Sequence, residues 1–127
     1  MTFIKIAGVK PNQDVEYDGE CMFEAISGKT QQKRSKPLMW IRPPDRPGYA
    51  PDNDPDLAIR KGDYKLLMDF DGSNVQLYNL AKDIGETNNL VDKEHQQVKK
   101  LKKELEDWIN NYPHDIDLEK YSYELLN

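Results

Sequence analysis

Between Leu57 and Leu90 the apolar residues come in short runs separated by breaks that contain glycine. Leu57-Ala58-Ile59-Arg60 stops at Lys61-Gly62-Asp63. Tyr64-Lys65-Leu66-Leu67-Met68 follows, and Asp71-Gly72-Ser73-Asn74 leads into Val75-Gln76-Leu77-Tyr78-Asn79-Leu80. Runs divided by Gly-Asp and Asp-Gly pairs predict consecutive β-hairpins, with glycine supplying the positive φ that tight loops need. Leu57 and Ile59 fall on one face, as do Tyr64, Leu66 and Met68, and Val75 and Leu77, which predicts an antiparallel sheet covered on one side. Upstream, Leu38-Met39-Trp40-Ile41 predicts another strand of the same meander. Strands are thus expected near 38–42, 57–61, 64–69 and 75–80.

After Leu90 the period changes. Val98, Leu101, Leu105, Trp108, Ile109 and Tyr112 recur at helical spacing, while Lys99, Lys100, Lys102, Lys103, Glu104, Glu106 and Asp107 form the opposite, solvated face. Asp92 is the expected N-cap, Glu94 suits the positive end of the helix, and Asn110-Asn111-Tyr112-Pro113 ends it. The expected fold class is therefore α+β: an antiparallel sheet of about four strands with a long C-terminal helix, 92–111, packed on one face. Trp108 and Tyr112 read as aromatic core, with stacking against a sugar as the alternative. The tail carries Ile116, Leu118, Tyr121, Leu125 and Leu126, enough apolar surface to dock.

Ahead of the sheet, residues 2–7 read as the last turns of a helix, with Phe3, Ile4 and Ala7 on one side and Gly8 as its stop. A second short helix is expected to start at Asp18 or Gly19, burying Met22, Phe23 and Ile26, and to end at Ser27-Gly28. Alone, these pieces have no surface to lie on, which suggests a chain cut from something larger. Lys29–Lys36 is a basic loop, a solvated linker by default and otherwise a phosphate or sulfate site. The span 43–56, with Pro43, Pro44, Pro47, Pro51 and Pro55, has no periodicity and reads as a long loop.

The chain has 127 residues and a net charge of −5, with a pI near 5.0. That length bounds it to one domain or part of one, and the acidic balance gives nucleic acid no electrostatic foothold. No apolar run approaches the roughly 20 residues of a membrane span, and the first residues lack the pattern of a signal peptide. A single cysteine, Cys21, allows no internal disulfide.

The wording of the meander is more specific than its pattern. Ala58-Ile59-Arg60, Gly62-Asp63-Tyr64-Lys65-Leu66, Gln76-Leu77-Tyr78-Asn79-Leu80 and then Asp83, Gly85-Glu86-Thr87-Asn88-Asn89-Leu90 resemble, in order and spacing, the C-terminal subdomain of sulfatases. The likeness is to the arylsulfatase and N-acetylgalactosamine-6-sulfatase-like enzymes of the alkaline phosphatase superfamily. Ile84 departs from it, standing where the family usually has proline. Phe3-Ile4, Ile6-Ala7-Gly8-Val9 and Asp18-Gly19 resemble the end of the sulfatase catalytic domain. The resemblance thus implies that residues 1–28 are a remnant of that domain with linker helices, and that 29–127 form the C-terminal subdomain.

It further implies a sulfuric ester hydrolase whose formylglycine and Ca²⁺ lie in the catalytic domain. This chain would complete the fold without being catalytic itself, and the enzyme would be periplasmic or secreted. Its partners would be the catalytic domain of the same polypeptide and a sulfated small molecule or glycan. The segment between the strands near 38–42 and 57–61 approaches the mouth of the catalytic pocket in that family, so Arg42, Arg46 and Tyr49 are the candidate substrate contacts; loop packing is the plainer alternative.

Other chemistry is thin. Cys21, within Glu20-Cys21-Met22-Phe23-Glu24, lacks the C-x-(P/A/S)-S-R context from which formylglycine is made and reads as a small buried residue. Asp52-Asn53-Asp54-Pro55-Asp56 invites a calcium reading but lacks the glycine and terminal glutamate of an EF-hand loop. His95 and His114 stand apart from other metal-binding residue types, and no nucleophile–base pair suggests itself. A free-standing binding module is the alternative, with Phe3, Ile4, Phe23 and Ile26 as its partner surface.

Overall fold

Gly62 and Asp63 form a two-residue loop between paired Lys61 and Tyr64. Gly62 has φ +61°, and glycine in the first central position is the usual solution for such a hairpin. The computed structural model describes residues 1–17, 19–31, 33–42 and 54–111. They belong to two units, Met1–Pro37 and Leu38–Asn127.

In the second unit β1 (Leu38–Ile41), β2 (Leu57–Lys61), β3 (Tyr64–Met68) and β4 (Gln76–Asn79) form one sheet in the order β1-β2-β3-β4, followed by α3 (His95–Asn110). Every neighbouring pair is antiparallel. The expected fold class, α+β with four antiparallel strands and a helix on one face, is the one observed. The helix has 16 residues, about 24 Å at 1.5 Å per residue.

The register sorts the side chains. Met39, Ile59, Leu66 and Leu77 stand opposite one another across the four strands, and Ile41, Leu57 and Met68 form the next row. Leu57, Ile59, Leu66, Met68 and Leu77 are buried together with Leu101 and Leu105 of α3, and Val98, Trp108 and Ile109 pack around them. Each fully covered large side chain contributes roughly 1.5–3 kcal/mol, an upper estimate given a compact unfolded chain. Trp108 belongs to this core, as its spacing suggests. Tyr112 and the apolar tail lie outside the described residues.

Polar ties fix the helix to the sheet. Lys61 Nζ donates to Glu104 Oε1 at 2.6 Å. Lys102 Nζ donates to the Gly72 carbonyl at 2.7 Å. The helix begins two residues later than an Asp92 cap would set it, with Glu94 in the cap position and no side-chain capping bond. The Glu94 carboxylate accepts instead from the Tyr64 hydroxyl at 3.2 Å. The Lys93 and Glu94 amides both donate to the Leu90 carbonyl, closing a separate turn before the helix starts.

In the first unit α1 (Thr2–Ile6) and α2 (Phe23–Ile26) are single turns. The Thr2 hydroxyl accepts from the Met22 amide at 2.9 Å and donates to the Glu20 carbonyl at 3.3 Å. The second helix starts at Phe23 rather than at Asp18 or Gly19, because residues 20–22 are committed to this junction with α1. Phe3 is 84% and Ile26 73% exposed, whereas Ile4 and Met22 are half-buried, so the apolar sides expected to be buried are only partly covered within this unit. Phe23 is half-buried, with the Lys5 and Lys29 ammonium groups 5.1 and 5.4 Å from its ring centre.

Candidate functional site

Two-residue periodicity means that a sheet with one sealed face presents a second set of side chains on the other. Here one outward row is Leu38, Arg60, Lys65 and Tyr78, and the next is Trp40, Ala58, Leu67 and Gln76. The loop after β4 supplies Leu80, Ile84 and Glu86 beside them, and Arg42 with Pro55 and Asp56 closes one end. Together they line an open groove of about 540 Å³.

The resemblance motif holds this groove in shape. Lys65 Nζ donates to both Glu86 carboxylate oxygens, at 2.7 and 2.8 Å. Glu86 has φ +55°, so the turn carries local strain, of order 1–2 kcal/mol for a residue with a Cβ, in aiming that carboxylate. The preceding Asp83 carboxylate accepts from the Thr87 and Asn88 amides, both at 2.8 Å. These backbone donors, Asn88 first and Thr87 next, hold the Asp83 carboxyl below its usual range. Asn89 Oδ1 accepts from the Leu77 amide at 3.0 Å, and the Leu90 amide donates to the Leu77 carbonyl at 2.7 Å. The Asp83–Leu90 segment is therefore tied to β4 at both ends, since the Asp83 amide also donates to the Asn79 carbonyl at 2.8 Å, and to β3 through Glu86 in its middle.

Of the three expected substrate contacts, Arg42 is half-buried at the end of the groove. Its amide donates to the Asp56 carbonyl at 2.7 Å, and its Nη1 donates to the Asp54 carbonyl at 2.9 Å. Both bonds cross the base of the proline-rich segment, where the chain leaves β1 and returns towards β2. Arg46 and Tyr49 lie outside the described residues, as do Asp52, Asn53 and His114. Asp56 Oδ2 accepts from the Phe70 amide at 3.3 Å. Cys21 is half-buried.

Among the described residues no three His, Cys, Asp or Glu side chains come together as a metal site, and Cys21 keeps the sequence context that does not fit formylglycine. No helix of the described residues is long and apolar enough to cross a membrane.

Sequence reasoning overlooked the outward faces of Trp40, Arg60, Leu67 and Ile84. The signal was present: apolar Trp40, Ala58 and Leu67 occupy strand positions that ordinarily alternate to polar residues.

No family model matches the chain. It is 33% identical over 131 residues to a protein named Sulfatase from Formosa agariphila, across 91% of this chain and 23% of that protein. Among solved structures, Ps i-CgsB matches with a TM-score of 0.63 and 27% identity, over 84% of this chain and 22% of its own. The same figures hold for Ps i-CgsB in complex with k-i-k-neocarrahexaose. The chain thus spans under a quarter of the length of the relatives it matches. Sequence and fold agree in their likeness: the chain is similar to part of a sulfatase.

Proposed function

We propose that the chain acts as the C-terminal part of an enzyme that hydrolyses sulfate esters of carbohydrates, completing the catalytic domain's fold and contributing to the rim of its substrate pocket. The observation that carries this is the 33% identity to a sulfatase across 91% of the chain. The hexasaccharide complex of Ps i-CgsB supports a glycan as the substrate class. Residues 1–28 would be the end of the catalytic domain with its linker, and 29–127 the subdomain itself.

In such an enzyme a formylglycine and a Ca²⁺ in the catalytic domain supply the nucleophile and steady the sulfate charge. The chain's own task is binding. Arg42, bonded to the Asp54 and Asp56 carbonyls, would offer its guanidinium to anionic or hydroxyl groups of the substrate, and Arg46 and Tyr49 of the same segment would join it. The enzyme would work in the periplasm or outside the cell.

The 127-residue chain by itself should hydrolyse no aryl sulfate, with or without calcium. Turnover that survives purification and disappears on Cys21→Ala would overturn the division of labour.

A further inference from the structure

The charges along α3 run against the helix that carries them. Four lysines, Lys99, Lys100, Lys102 and Lys103, come before all three of its acids, Glu104, Glu106 and Asp107, and its first turn holds no acid. The helix dipole favours the reverse order, and Lys99 and Lys103, at i and i+4, repel one another. The ion pairs within the helix, Lys102–Glu106 and Lys103–Asp107, have lysine on the N-terminal side, the weaker orientation. A pattern that breaks local rules without a local gain points to a use outside the helix. Lys102 turns back to the Gly72 carbonyl, and Glu104 is taken by Lys61. Exposed Lys99, Lys100 and Lys103 remain on the outer face, with exposed Lys93 just ahead of them. Lys93, Lys99 and Lys100 have no ion-pair partner among the described residues. The Lys103–Asp107 pair is 73% and 60% exposed, so it ties Lys103 down only weakly.

We infer that this lysine face of α3 is an exosite for a sulfated polysaccharide, holding sulfate groups of the polymer at a distance from the ester that reacts. The inference rests on the proposed function, because a polymeric substrate carries sulfates on units beyond the one in the pocket. A polymer engaged at the pocket meets the lysines at high effective concentration, so weak exposed contacts suffice. Lys99 and Lys103 stand ~6 Å apart along the axis, and their flexible stems let two ammonium groups converge on one sulfate. Unpaired lysines are costly to bury, so this face stays in water. The apolar stripe of α3 is sealed on the sheet, which leaves nothing to enter a bilayer. The exposed neighbours His95, Gln96 and Asn110 give single-stranded nucleic acid no Phe, Tyr or Trp platform. The net charge of −5 is screened beyond ~8 Å at physiological salt, so the local positive charge governs contact.

Calorimetric titration of the 127-residue chain with a polymeric sulfated galactan, and with the same polymer after chemical desulfation, tests this. The chain should bind the sulfated polymer, less tightly as salt rises, and should ignore the desulfated one. Replacing Lys99, Lys100 and Lys103 together by glutamine should weaken binding about tenfold without lowering the melting temperature. Replacing the same three by arginine should preserve binding, and Asp107→Asn should strengthen it. In a chimera that places the chain in the Formosa agariphila sulfatase, the glutamine variant should slow hydrolysis of the polymer and leave that of a small aryl sulfate unchanged. No binding by the wild-type chain, equal binding by the glutamine variant, or equal binding of the desulfated polymer would overturn the inference. So would duplex DNA or anionic vesicles binding as tightly as the sulfated polymer. Binding that appears only after residues 112–127 are removed would also overturn it, assigning the lysines to the acidic tail. A chimera inactive on every sulfate ester, while the isolated chain still binds through its lysines, would leave the lysine site standing and refute the proposed function instead.

Discussion

Glu86, held at a positive φ, places its carboxylate 2.7 Å from Lys65 Nζ on the face of the sheet opposite α3. The pair is only about a quarter to a third exposed, 24% for Lys65 and 31% for Glu86, so it is less screened than a surface bridge. Glu86→Ala should destabilise the chain by about 1–2 kcal/mol, combining the lost charge-assisted bonds with an unpaired Lys65. Glu86→Gly should cost less, because glycine accepts the left-handed backbone. Denaturant titrations of both variants check this, and equal losses would mean that the backbone strain is negligible.

Two glycines with similar backbone angles should respond differently to alanine. Gly62 has φ +61° and open space where an alanine methyl would sit, whereas at Gly72, φ +79°, a Cβ would come within 3.1 Å of Lys102 Nζ. Gly62→Ala should cost about 1–2 kcal/mol, the penalty for a left-handed residue with a side chain. Gly72→Ala should cost roughly 1 kcal/mol more, since it also displaces the lysine that donates to the Gly72 carbonyl. Thermal unfolding of the two variants decides it.

Much of the fold was legible because it rests on local rules. Gly62 marks the hairpin, alternation in Leu57–Ile59 and Leu66–Met68 assigns the buried face, and the Leu101–Leu105 stripe assigns the helix. The start of α3 was not legible from Asp92, since the competing use of Glu94 by Tyr64 is a contact 30 residues apart in sequence. The apolar outer face escaped for a related reason. Trp40, Ala58 and Leu67 belong to three different strands and become one surface only once the register is known. Arg42 was legible as a candidate, but its bonds to Asp54 and Asp56 depend on how the proline-rich segment returns.

The Asp83 turn gives an acid-dependent stability. Hydrogen bonds from the Asn88 and Thr87 amides lower the folded-state pKa of Asp83 below the ordinary 3.8. Such a group stabilises the fold fully above its unfolded value, and the benefit is lost as pH falls through the lower folded value. Asp83→Asn should therefore destabilise the chain at neutral pH and narrow its deficit from wild type below 3.8. A deficit that stays constant down to the acid transition would contradict the assignment.

Arg42→Ala in the full sulfatase context should raise KM by roughly tenfold to a hundredfold, as expected for losing a charge-assisted hydrogen bond of about 1.5–3 kcal/mol. The change in kcat should be smaller, because a group that holds substrate and transition state alike acts on KM. Steady-state kinetics on a sulfated oligosaccharide provide the check. Unchanged kinetics would reduce Arg42 to a tie across the base of the loop.

The most direct measurement is sulfate-ester hydrolysis by the chimera that carries these 127 residues in place of the matching segment of the Formosa agariphila sulfatase. If the chain is a working sulfatase C-terminal part, the chimera hydrolyses an aryl sulfate at a rate within about tenfold of the parent, a difference of about 1.4 kcal/mol, and the parent lacking that segment does not. A chimera that folds cooperatively yet shows no turnover, or a truncated parent that keeps full activity, would contradict it.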